Sequence, residues 1–168
     1  MLVSKFKKLL PWLSTLVVVL SMFLILRKSK ASNPTPATGT PESELLRVFN
    51  ESKYRSYSPY LIAQSKLESA NYKSRLFTLY FNAFGMNCVA KRPTMQIGCT
   101  AATFDGGKMS KGIYRSASEC AKDMVQWLDY NTAPTVFANI EAFNSWMKSK
   151  DFYGISEAEY LTRLKSWM

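Results

Sequence analysis

The chain is 168 residues long, enough for one domain with a real hydrophobic core plus an appendage. It contains no histidine, which excludes a Ser-His-Asp or Cys-His catalytic apparatus and any His-ligated metal site. The formal charge of +10 is uneven: Lys5, Lys7, Lys8, Arg27, Lys28 and Lys30 carry six positive charges before residue 31, leaving 16 basic against 12 acidic residues beyond it. That remaining surplus suits an anionic polymer, while the lack of a basic cluster or nucleic-acid motif argues against nucleic acid.

Leu9 to Leu26 is an uncharged run of 18 residues broken only by Pro11, Ser14, Thr15 and Ser21. It is just long enough to cross a bilayer as a helix, with Trp12 suited to the interface. A cleaved signal peptide is the alternative, since the lysines before it form a positive n-region. Arg27, Lys28 and Lys30 stand between the run and the small-residue site at Ala31, which favours an uncleaved membrane anchor over residues 1–30. Residues 31–41, rich in Pro, Thr and Ala, cannot bury apolar surface and read as a flexible linker.

Residues 42–168 read as the folded domain. Thr40-Pro41-Glu42 opens a helix to about Tyr54, with Leu45, Val48 and Phe49 on its apolar face. Ser58-Pro59 is expected to cap and start a second helix through Tyr60, Ala63, Gln64 and Leu67, ending in a single carboxylate, Glu68. A carboxyl at the end of an apolar helix is kept protonated by burial, as a general acid requires, although exposed Glu is common there. A third helix from Tyr72 to about Phe81 is apolar on most sides and predicts a central core element. From Gly85 to Ile113 the helical period disappears, and Thr94–Ile97 and Ala102–Phe104 read as short strands. Cys88 and Cys99 bracket Lys91-Arg92-Pro93-Thr94, where a hairpin could set them opposite each other. They are expected to form a disulfide if the domain is exported, or two buried thiols if not, with Cys120 left as a core thiol. Capping boxes at Ser116–Glu119 and Ser156–Glu159 open two further helices. Between them Thr135 to Lys148 forms another, with Phe137, Ile140, Phe143 and Met147 apolar. Leu161, Leu164 and Met168 point inward on the last. The fold class expected is mainly α with a small β-lobe.

Gln64-x-x-Leu67-Glu68-Ser69, then Lys73-Ser74, then Asn82-Ala83-Phe84-Gly85-Met86 resembles the glucosaminidase domain of glycoside hydrolase family seventy-three. Tyr114-Arg115-Ser116 before a helix, and Lys150-Asp151-Phe152-Tyr153 before a helix bearing Tyr160, extend the resemblance in order from about Leu61 to Met168. The resemblance implies a lysozyme-like α+β domain that cleaves the β-1,4 glycan backbone of peptidoglycan, with no cofactor and no metal. It implies Glu68 as general acid, with Asn82, Phe84, Tyr114 and Tyr153 binding the substrate. Aromatic faces pack on the apolar face of a pyranose, though core packing is their commoner use.

Two departures bear on the chemistry. The family's second carboxylate, a Glu in the β-lobe, best matches Thr103. Asp105 is the only acid between Glu68 and Glu119, and Asp105-Gly106-Gly107 also reads as an ordinary turn. The Gly expected after Glu-Ser is replaced by Ala70-Asn71-Tyr72. A single-carboxylate mechanism, using the substrate's 2-acetamido group or an internal hydroxyl as nucleophile, stays open. So does a catalytically inactive wall-binding or assembly protein, or a helical adaptor with no glycan link. The expected setting is a single-pass membrane protein with its C-terminal domain on the cell-wall side. Its partners would be the lipid bilayer, peptidoglycan glycan strands and a larger envelope or phage assembly.

Overall fold

A computed structural model describes residues 39–106 and 108–168, apart from the side chain of Asp105. The expected membrane anchor and nearly all of the expected linker lie outside the described residues. Among the described residues no helix is long and apolar enough to cross a membrane.

The described residues are mainly helical with a small two-stranded sheet. Helix α1 spans Pro41–Glu51, started by the Thr40 hydroxyl accepting from Ser43 N. It stops three residues before the expected end, because Ser52 is extended and turns its hydroxyl back to Phe49 O. A 3-10 turn, Arg55–Tyr57, leads into α2, Ser58–Glu68. Ser58 is in the first turn rather than capping it, with its hydroxyl bonded to Asn50 Oδ1 and Arg55 O. Leu61, Ile62, Ala63, Gln64 and Ser65 are all buried, so α2 is enclosed on nearly every side.

The chain leaves α2 through a left-handed turn. Ala70, Asn71 and Tyr72 have φ of 51°, 54° and 63°. Each costs a side-chain-bearing residue about 1–2 kcal/mol. The turn is held by Asn71 N on Lys66 O (2.7 Å), Tyr72 N on Ser69 Oγ (2.9 Å) and the Tyr72 and Ser65 hydroxyls 2.9 Å apart. It consumes the residues expected to begin the third helix. Helix α3 is therefore only Arg75–Tyr80, capped by Ser74 and ended by Phe81 in the left-handed region. It is not a central core helix: Leu76 and Phe77 are buried, while Leu79 is 54% exposed.

The β-lobe has strands β1, Gly98–Cys99, and β2, Gly112–Ile113, paired antiparallel with Gly98 opposite Ile113. Neither expected strand forms. Met95 N and Gln96 N turn instead to side-chain oxygens of Asp123 and Thr94, and residues 102–106 form turns and the 3-10 segment Phe104–Gly106. Cys88 and Cys99 form a disulfide, with Cα atoms 5.6 Å apart. Cys120 is a free, buried thiol that accepts from Ala83 N at 3.3 Å.

Helices α4 (Ala117–Tyr130), α5 (Ile140–Ser149) and α6 (Glu157–Lys165) complete the domain. Ser116 and Ser156 cap α4 and α6 as expected, each accepting from the backbone N–H three residues on. α5 starts at Ile140, later than expected, because the Asn139 side chain caps it by accepting from Ala142 N. Phe137 lies outside α5 but still packs edge-on to Tyr57 and Phe143. α1 packs on α4 and on α2, and α2 packs on α6. Met168 is 62% exposed rather than inward.

Two measurements check this description. Alkylation of the unreduced, denatured protein should label one cysteine of three, rising to three after reduction; breaking the Cys88–Cys99 loop should cost about 3 kcal/mol. Ala70→Gly should raise stability by about 1 kcal/mol in denaturant unfolding, because glycine occupies the left-handed region freely.

Candidate functional site

Glu68 is the last residue of α2, and the left-handed turn immediately after it turns the chain away, leaving the carboxyl at an open helix end. The side chain is half-buried. Its Oε1 accepts the hydroxyl of Tyr160, from α6, at 2.6 Å. Gly85 lies over the other oxygen: a Cβ placed there would sit 3.5 Å from Oε2. Gly85 has φ +61°, a conformation glycine adopts without strain.

Burial pushes the Glu68 pKa up, because water no longer solvates the charged form; the Tyr160 hydrogen bond and the Lys111 ammonium pull it back, and the net direction is up. With Oε1 occupied by the Tyr160 hydroxyl, a proton on this carboxyl belongs on Oε2, the oxygen beside Gly85.

Gly85 also lines a cleft of about 510 Å³. Phe84 to Arg92 form one wall, and Trp127, Tyr130, Asn131 and Lys150 to Phe152 form the other. This volume and mixed aromatic and polar lining suit a small ligand or one or two sugar units. Trp127 meets Phe152 edge-on with ring centroids 5.1 Å apart, and Tyr130 is largely exposed at the rim.

Tyr160 is itself braced. Its ring stacks on Tyr153 at a 3.7 Å centroid distance and 4° interplanar angle. Tyr153 OH donates to Asn144 Oδ1 at 2.9 Å, and Lys148 donates to Tyr153 O. Gln64 Nε2 donates to Tyr160 OH at 3.4 Å. Burial and the neighbouring Glu68 push the Tyr160 hydroxyl far above its usual range, so it remains a donor.

The four expected substrate-binding residues are all buried. Asn82 holds the loop that carries Gly85: its Nδ2 donates to Met86 O and Gly112 O at 2.9 Å, and its Oδ1 accepts from Met86 N. Phe84 packs edge-on to Phe49 and also borders the cleft. Tyr114 donates to Asp123 Oδ2 at 2.7 Å and lies in the α4–β-lobe junction. Tyr153 supports Tyr160 from behind. Of the five, only Phe84 lines the cleft; Glu68 reaches its neighbourhood through Gly85, Asn82 and Tyr153 brace the residues around Glu68, and Tyr114 bonds to Asp123. Thr103, at the position matching the family's second Glu, is exposed.

Three residues near the site carry no signal in the motifs. Asp123 is buried and paired with Arg92, Nη1–Oδ1 2.8 Å and Nη2–Oδ2 3.0 Å, which docks the β-lobe on α4. Burial alone would raise the Asp123 carboxyl, but hydrogen bonds from Arg92, Thr94 and Tyr114 hold it below its usual range. Gln96 Nε2 bridges Asn87 O and Tyr114 OH. Lys111 reaches from the β-lobe to Gly85 O. Arg92 and Asp123 are 31 residues apart, a spacing with no periodic signature, so only the tertiary structure reveals the pair.

No protein-family model matches the chain, and no curated protein matches it. Among solved structures, the chain resembles one from a type VI secretion system effector–immunity complex of Pseudomonas protegens, at TM-score 0.50 and 15% identity, covering 74% of this chain and 94% of that one. It also resembles the catalytic domain of the autolysin Auto from Listeria monocytogenes, at TM-score 0.49 and 16% identity, over 86% and 92% of the two chains. A C-terminally truncated glycoside hydrolase domain of FlgJ from Salmonella typhimurium superposes at TM-score 0.49 and 20% identity, over 75% and 89%. At these identities the first likeness is one of fold.

Proposed function

We propose that this protein is a peptidoglycan hydrolase that cuts the β-1,4 glycan backbone, with Glu68 as general acid. The observation that carries the reading is the placement of one half-buried carboxyl. Its Oε1 is engaged by Tyr160, and its Oε2 lies beside Gly85, a residue that in turn lines a cleft which Glu68 itself does not line. Glycosidic cleavage needs a proton delivered to the leaving oxygen as positive charge develops on the sugar. An acid raised by burial holds that proton to a higher pH than an ordinary glutamate. The ordered motifs from Gln64 to Tyr160, resembling a lysozyme-like glucosaminidase domain, supply the substrate class and the endo-N-acetylglucosaminidase-like bond choice.

In this reading the aromatic side chains of the cleft, Phe84 among them, receive sugar faces, while Asn82, Tyr114 and Tyr153 serve the substrate site from behind by holding the residues around it. The full chain would sit in the cell membrane through residues 9–26, with the domain on the wall side. The Cys88–Cys99 disulfide supports that placement, since such bonds persist in oxidising compartments. A second reading, an inactive wall-binding protein, is favoured by Thr103 standing where the family carries its second carboxylate.

Turnover of purified peptidoglycan decides between them. The wild-type chain should release soluble fragments, and Glu68→Gln should lower the rate by about 10²–10⁴-fold while leaving glycan pull-down intact. Because the protonated form is the active one and its pKa is raised, activity should persist above the usual Glu range and fall as pH rises through the Glu68 pKa. Binding without turnover in the wild type would select the inactive reading.

A further inference from the structure

The β-lobe sends one cation towards the acid. Lys111 immediately precedes β2, pairs with Asn87 in an isolated antiparallel bridge, and donates its backbone N–H to Thr100 Oγ1 at 2.9 Å. Its ammonium folds back across the lobe boundary and donates to Gly85 O at 2.9 Å and Asn87 Oδ1 at 2.8 Å. Both acceptors are neutral, and among the described residues Lys111 makes no ion pair. Its charge is therefore not cancelled locally, and it is fastened to the residue that lies over Glu68 Oε2.

We propose that Lys111 is a positioning residue for Glu68: its ammonium pins the Gly85–Asn87 loop beside the carboxyl and stabilises the carboxylate left once the proton has gone. The step balances on the atoms named. The Oε2–H bond breaks, the proton joins the leaving glycosidic oxygen, the C–O pair goes to that oxygen, and the negative charge stays on Glu68; the positive charge left on the anomeric carbon is taken up by the substrate's own 2-acetamido oxygen, and water then completes the hydrolysis. A cation already in place lowers the energy of that product and needs no reorganisation to do so.

The other groups facing Glu68 do not supply this. Tyr160, from α6, offers a neutral hydroxyl, with Tyr153 stacked behind it. Gln64, on the same helix, is neutral and bonds to Tyr160. Lys66, two residues away on α2, is committed to Glu42 at 2.9 Å. The direction of the Lys111 effect on Glu68, downward against burial, agrees with the geometry.

The proposal rests on Glu68 being the acid, so the test reads the carboxyl both with and without turnover. In the full-length protein, the Glu68 carboxyl resonance, assigned by its loss in Glu68→Gln, is titrated by ¹³C NMR for wild type, Lys111→Met, Lys111→Gln and Lys111→Arg. The pH profile of peptidoglycan turnover is recorded alongside. Lys111→Met should move the Glu68 midpoint upward, carry the basic limb of the profile up with it and lower the maximal rate. Lys111→Arg should return the midpoint towards wild type. Lys111→Gln keeps a donor without the charge and should behave like Met, giving the same answer if the Met variant does not fold. A midpoint unmoved or lowered in both neutral variants, or displaced as far in Arg as in Met, would overturn the role of the charge. A shifted midpoint with no turnover in any form would instead reject the glycosidase reading, and with it the catalytic part of the proposal.

Discussion

The hydrogen bond from Tyr160 to Glu68 joins residues 92 positions apart, and the site depends on it. It occupies one carboxyl oxygen with a donor that does not ionise, which leaves the proton to the other. It also fixes the rotation of a side chain that would otherwise be free at a helix end. Tyr160 can do this because its ring is clamped against Tyr153, whose hydroxyl is bonded to Asn144 on α5. The last two helices thus act as a buttress for a single oxygen atom on α2.

Glu68 is opposed from the other side by the Gly85 loop, and that loop is over-determined. Asn82 satisfies three backbone groups of the loop and β2, Lys111 holds two more acceptors, and the disulfide closes the segment from Cys88 to Cys99. The buried Arg92–Asp123 pair docks the same segment on α4. Removing either partner would strand a buried charge, so this contact fixes position more than it adds stability. The left-handed residues after α2 fit the same pattern: local strain is tolerated where the chain must turn away abruptly after Glu68.

Helix identity and most caps were legible in the sequence because they are local: Thr40, Ser74, Ser116, Asn139 and Ser156 each cap a helix through a hydroxyl or amide close in sequence to the donor it binds. Three of these, Thr40, Ser116 and Ser156, stood out before the structure. Glu68 stood out because the motif around it is compact. The start of α3 was misread because Tyr72 continues an apolar pattern while its backbone is left-handed, a state that apolar periodicity does not encode. The strands were misplaced because side chains from α4 and Thr94 take the backbone donors that a strand would need. The hydrogen-bond partners of Asn82 and Tyr114 lay outside reach for a related reason: the donors and acceptors they meet are distant in sequence or set by the tertiary fold.

The charge balance at Glu68 explains why these distant elements must act together. Burial raises the Glu68 pKa because water no longer solvates the charged form, and the net direction stays upward. Tyr160 and Lys111 each pull against burial, one by a hydrogen bond to Oε1 and one by charge. They come from α6 and from the β-lobe, so elements distant in sequence meet at one side chain of α2.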